Sequence, residues 1–193
     1  MILDLLKYFA KYPQKEGVQA LFVKGSSDIP GYAELLAIFN ALPTECIMPE
    51  IGYLVYGQSF DGVKDYLAKL IGSPVYLLVD FGEISSNRDN RNSLQDTQKM
   101  ALTVAMCMPD SPDLIEETLA SEITLQLTNK LRAHMMADDE TKTLGTWMNL
   151  IRGSHQLAPF VAKELKSIGW TILFNTSATD MLDVSTLAKA YNS

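Results

Sequence analysis

Pro74-Val75-Tyr76-Leu77-Leu78-Val79-Asp80-Phe81 is a nearly continuous apolar run, the pattern of a central strand covered on both faces. Thr97 to Met108 alternates instead. Met100, Leu102, Val104, Met106 and Met108 fall on one side, and Lys99, Ala101, Thr103, Ala105 and Cys107 on the other. Two neighbouring strands are therefore expected. Between them lies Ser85–Asp96, polar apart from Leu94. Hairpin connections usually take about two to five residues, so this segment reads as either an extended arm or a disordered loop.

The next stretch reads as the longest helix. Ser111 is a candidate N-cap, Pro112 suits the first position, and Asp113, Glu116 and Glu117 complement the helix dipole there. Ile115, Leu119, Ile123, Leu127, Leu131 and Met135 recur every fourth residue, which predicts an apolar face on a helix from Pro112 to about Met136. Asp138-Asp139-Glu140 is expected to close it. Together these readings give an α+β fold, a mixed, largely antiparallel sheet with a long amphipathic helix packed on one face.

Further out, a short amphipathic helix is expected at the N-terminus, a strand at Val18–Val23, and a helix after Pro30 stopped by Pro43. A strand at Ile51–Tyr56 precedes a helix capped by Ser59 and ended by Gly72. On the C-terminal side the readings are a helix over Gln156–Ile168, a strand at Trp170–Phe174 and an antiparallel return at Met181–Val184. The chain is read as one domain, 1–193, with a helical part at 1–72 and the sheet and long helix at 73–193.

The chain has 193 residues, 16 Lys and Arg against 23 Asp and Glu, and a net charge of −7. That balance argues against nucleic acid and anionic membranes, which reward concentrated positive charge. No stretch reaches the ~20 apolar residues of a membrane span. Asp4 and Lys7 interrupt the N-terminal apolar run, so a secretory signal is not read there. Cys46 and Cys107 read as buried free thiols, and the expected location is the cytoplasm, or a virion if the protein is phage-derived.

The catalytic inventory is thin. Gly57-Gln58-Ser59-Phe60-Asp61-Gly62-Val63-Lys64 lacks lysine directly after its second glycine and so departs from a phosphate-binding loop. Asp61 also occupies the position a nucleophile elbow around Ser59 gives to glycine. His134 and Asp138, four residues apart, could share a face, but only His134 is a good transition-metal donor. His155 reads as a surface residue. Asp80, after its apolar run, reads as a partly buried strand-end carboxylate. No metal site, cofactor or catalytic residue is assigned. The binding candidates are Arg88 and Arg91 with Asn87, Asn90 and Asn92, which could hydrogen-bond a partner's backbone or carboxylates.

In layout, the stretch Pro74–Phe174 resembles the small tail-completion and tail-terminator proteins of tailed bacteriophages and prophages. The shared order is strand, long polar hairpin arm, strand, long amphipathic helix and terminal strands. The resemblance implies ring assembly without catalysis, with the arm Ser85–Asp96 and the outer face of the Pro112–Met136 helix as the matching positions. The expectation is a non-enzymatic assembly protein that associates with itself or with another assembly protein. The alternative is an intracellular enzyme or ligand-binding domain whose site is built from Asp80, His134, His155 and Ser59. A pocket joining two of those residues would favour it.

Overall fold

The computed structural model describes residues 2–57, 60–70, 74–88, 94–141, 148–149 and 154–179. Three short helices, α1 (Ile2–Phe9), α2 (Lys15–Gln19) and α3 (Tyr32–Asn40), precede strand β1 (Tyr53–Tyr56) and helix α4 (Phe60–Leu67). Two long strands follow, β2 (Val75–Arg88) and β3 (Leu94–Cys107), then the 28-residue helix α5 (Leu114–Thr141). Strands β4 (Met148–Asn149), β5 (Gln156–Ala162) and β6 (Ser167–Thr179) complete the described chain, with a single 3-10 turn at Lys163–Leu165 before β6.

Among the described residues the sheet has six strands in the order β1-β2-β3-β6, with β5 and β4 both on the far edge of β6. Only β1 runs parallel to its neighbour β2, and every other pairing is antiparallel. The architecture is therefore the α+β arrangement expected, a mixed and mostly antiparallel sheet under a long helix.

Alternation decides which side chains meet the helices, because successive strand residues point to opposite faces. Val75, Leu77 and Val79 of β2, Met100, Leu102 and Val104 of β3, and Ile172 and Phe174 of β6 share one face. They pack with Leu5, Phe9, Val18 and Phe39 from the N-terminal helices and with Leu127, Leu131 and Met135 of α5. The opposite face is covered at one end by Val63 and Leu67 of α4, which meet Val55, Tyr76, Ala105 and Leu165.

The segment Ser85–Asp96 is largely strand. Beyond an irregularity between Phe81 and Ile84, β2 and β3 pair as far as Arg88↔Leu94, and β6 runs alongside to Gln95↔Thr179. The arm is thus four strands wide at Ser85 and Ser86, where β4 adds to β6, and three strands wide at Asn87, Gln95 and Thr179. Its core-side face turns polar, with Asp96, Gln98 and Thr176 all buried.

Several expectations need correction. Val18–Val23 is not a strand: Val18 and Gln19 lie in α2 and the residues after them in turns and irregular chain, and a short apolar run cannot by itself distinguish helix from strand. Gln156–Ile168 is not a helix but β5, the 3-10 turn and the start of β6. Pro159 explains this, since it would break a helix interior yet is tolerated on an edge strand. Helix α5 begins one residue after Asp113, which replaces Ser111 as its cap. Asp113 Oδ1 accepts from the backbone N–H groups of Ile115 and Glu116, both at 2.8 Å, and Glu116 Oε2 accepts from Asp113 N at 2.8 Å, a reciprocal capping box. At its other end, Asp138, Asp139 and Glu140 do not close the helix but lie within it. Ser59, Gly72 and the Met181–Val184 return lie outside the described residues.

The predicted apolar face of α5 is only half a face. A helix turns ~100° per residue, so a row spaced by four drifts ~40° at each step and ~200° over five steps. Ile115, Leu119 and Ile123 are accordingly 67%, 57% and 43% exposed, while Leu127, Leu131 and Met135 are buried. The buried stripe of the first half is made by Ala120 and Thr124 instead, and Trp170 of β6 donates from Nε1 to Ser121 O and Oγ at 3.1 Å.

Candidate functional site

Among the described residues, Asp80, His134 and His155 each sit in a different setting. Asp80 is exposed, not partly buried, because it points away from α5 and beyond the patch covered by α4. Ser59 lies outside the described residues. His134 is half-buried with its ring edge-on to Tyr12 at 6.3 Å between centroids.

Asp138 is engaged elsewhere. Its Oδ2 accepts from Lys11 Nζ at 2.5 Å, Tyr8 Oη at 2.8 Å and Tyr12 Oη at 3.2 Å. The two phenols are also 2.7 Å from each other, and the Lys11 ammonium lies 4.0 Å from the centre of the Tyr8 ring. Burial pushes the Tyr8 and Tyr12 phenols up, and the Asp138 charge reinforces this. Burial alone would raise Asp138, but the hydrogen bonds from Lys11 and Tyr8 outweigh it and hold the carboxyl below its usual value. This cluster fastens α1 and the residues after it to the end of α5. Among the described residues no group of His, Cys, Asp and Glu is placed to hold a metal ion.

His155 is also a structural contact. Arg132 donates from Nε to His155 Nε2 at 2.5 Å, and His155 Nδ1 is buried without a hydrogen-bond partner among the described residues. The acceptor role of Nε2 places the ring proton of a neutral imidazole on Nδ1.

Two adjoining cavities of about 340 Å³ each open where β3 ends and β6 begins. The first is lined by Lys64, Leu67, Cys107 and Leu165 among others, and the second by Pro112, Glu117, Val161 and Ile168. They share Met108, Asp110 and Lys166. Lys166 occupies the left-handed backbone region at φ 46° and donates from Nζ to Asp110 Oδ1. That hydrogen bond and the ammonium charge hold the Asp110 carboxyl down. Burial raises the Cys107 thiol, which keeps it protonated and works against nucleophilic chemistry at neutral pH. Neither cavity is lined by Asp80, His134 or His155.

The polar-arm candidates divide. Asn87 and Arg88 are exposed at the end of β2, in register with Gln95 and Leu94. Asn90, Arg91 and Asn92 lie outside the described residues.

The outer face of the long helix was among the expected assembly positions, but sequence reasoning missed that its first half is apolar. Ile115, Leu119 and Ile123 are exposed there, and Val161 of the neighbouring edge strand is 67% exposed. The signal was available: a strict four-residue spacing cannot stay on one side of a helix. Among the described residues no helix is long and apolar enough to cross a membrane. No protein-family model, curated protein or solved structure matches this chain.

Proposed function

We propose that the protein is a non-enzymatic assembly component, of the tail-completion kind its layout resembles, which works by associating protein surfaces. The observation that carries this reading is the apolar outer row of α5, Ile115, Leu119 and Ile123, left in solvent by a helix that buries its other side. Isolated exposed apolar residues are ordinary, whereas an aligned row is a feature of interaction surfaces. The arm supports the same reading. It projects Asn87 and Arg88 at the end of the strand ribbon, and β2 beyond its pairing with β1 offers an edge to a second copy.

The test is solution mass by light scattering behind a sizing column, for the intact chain and for one lacking Asn87–Asn92. The expected result is an oligomer that dissociates without the arm. A monomer in both cases, across the accessible concentration range, would overturn self-association. A second reading, small-ligand binding, has the paired cavities beside Cys107 in its favour. It is the weaker one because Lys166, a cation of both cavities, is already engaged by Asp110.

A further inference from the structure

We infer that the outer row of α5 docks an amphipathic segment of another protein, one with apolar anchors and a basic rim. The inference rests on the assembly reading and adds the chemistry of the partner.

Three observations on this surface lead there. First, the row is apolar and open: Ile115, Leu119 and Ile123 stand on successive turns, each more than two-fifths exposed. Anchors at this spacing are what a helix or extended segment laid along another helix can cover. Second, the charged residues that flank the row on the helix itself are of one sign. From Met100 to Asn129 the chain holds five carboxylates, Asp110, Asp113, Glu116, Glu117 and Glu122, and neither lysine nor arginine. Glu116 and Glu122 lie on either side of the row by helix geometry. Glu116 is tied to the helix cap, and Glu122 accepts from Gln126 Nε2 at 2.7 Å. Neither meets a cation among the described residues, so both charges remain to attract one. Third, the same face pairs poorly with itself. A twofold pairing of antiparallel α5 helices centred on Leu119 would bring a second pair of acidic flanks, Glu116 and Glu122 again, to one seam, with no lysine or arginine between Met100 and Asn129 to offset them. Like charges brought together at an interface select against that partner. A cationic rim on a different chain removes the conflict and supplies steering toward the row.

The test uses a fluorescent synthetic peptide of about five helical turns, with leucine at i, i+3, i+4 and i+7 and lysine between. Its controls are a twin with glutamate for lysine and a scramble of the same composition. Anisotropy titrations use the intact chain, Leu119→Ser and Glu122→Gln. The lysine peptide should bind the intact chain and weaken with added salt. Leu119→Ser should weaken binding at least about tenfold, and Glu122→Gln by a few-fold, with both variants keeping the intact chain's urea midpoint. The glutamate twin and the scramble should bind at least tenfold more weakly. Equal binding of peptide and scramble, or no effect of Leu119→Ser, would overturn the inference. So would light scattering that shows a dimer of the intact chain dissolved by Leu119→Ser, because the occupant would then be a second copy. Loss of the arm-dependent oligomer alone bears on self-association, and the peptide titration reads the α5 row independently of it.

Discussion

Lys11 and Asp138 meet at 2.5 Å although 127 residues separate them. Their side chains are 28% and 24% exposed, and two tyrosine hydroxyls complete the contact. A charge-assisted hydrogen bond in such a setting contributes about 1.5–3 kcal/mol. Asp138→Asn should therefore lower unfolding stability by about that amount in urea titrations monitored by circular dichroism. Because the folded carboxyl lies below the usual aspartate value, the contribution is complete above the unfolded value and is lost as pH falls through the lower, folded one. The difference between the intact chain and Asp138→Asn should thus be constant at neutral pH and shrink only below about pH 4.

The two halves of α5 should answer oppositely to truncation. Leu131 is fully buried, so Leu131→Ala should cost about 2–5 kcal/mol. Leu119 sits on the same four-residue row yet is 57% exposed, and Leu119→Ser should stay within about 0.5–1 kcal/mol of the parent. Urea midpoints of the two variants measure the contrast. Equal costs would mean that α5 is rotated about its axis from the position described.

One chemical change, threonine to valine, should have opposite signs on neighbouring strands. Thr103 and Thr171 are register partners whose hydroxyls lie 2.7 Å apart in the interior. Thr103→Val strands the Thr171 hydroxyl and should cost about 1–3 kcal/mol, while the double variant Thr103→Val, Thr171→Val should recover most of it. Thr176 Oγ1, by contrast, is buried with no partner among the described residues. Thr176→Val removes that penalty and should raise the thermal midpoint.

Gly17 is required by space. A Cβ built there would lie 1.8 Å from Gly52 O and 2.7 Å from Tyr53 Cα, both backbone atoms that cannot swing aside. Gly17→Ala should push α2 off β1 and cost about 1–3 kcal/mol or more, visible as a lower thermal midpoint or loss of soluble protein. Gly25, with open space around it and φ +67°, should show only the milder strain of a left-handed alanine.

The sheet was legible where burial is two-sided or alternation strict. Val75–Val79 and Met100–Met106 carry their own address, since each side chain's face follows from its parity. The helix was legible in extent but not in orientation, because its buried stripe is made partly of Ala120, Thr124 and Thr128, residues whose small size or hydroxyl hides them in an apolar count. Both Thr124 and Thr128 satisfy their hydroxyls on the carbonyl four residues back, which makes burial tolerable. The clustering of Tyr8, Lys11 and Tyr12 on Asp138 could not be read locally, since it depends on tertiary placement. β5 was misread by giving its apolar residues more weight than Pro159.

The position of β6 in the sheet has a consequence for the nascent chain. This last described strand is interior: Thr103 waits for Thr171, which is made 68 residues later, and β3 offers a 14-residue bare edge until then. Helix α5 emerges in that interval with half the floor beneath it missing. Contacts this distant in sequence close slowly, and an open strand edge among other unfolded chains invites the wrong neighbour. Synthesis, more than the finished fold, is where this protein is exposed to misassembly, and a ribosome stalled before Ser167 should display the most aggregation-prone form of it.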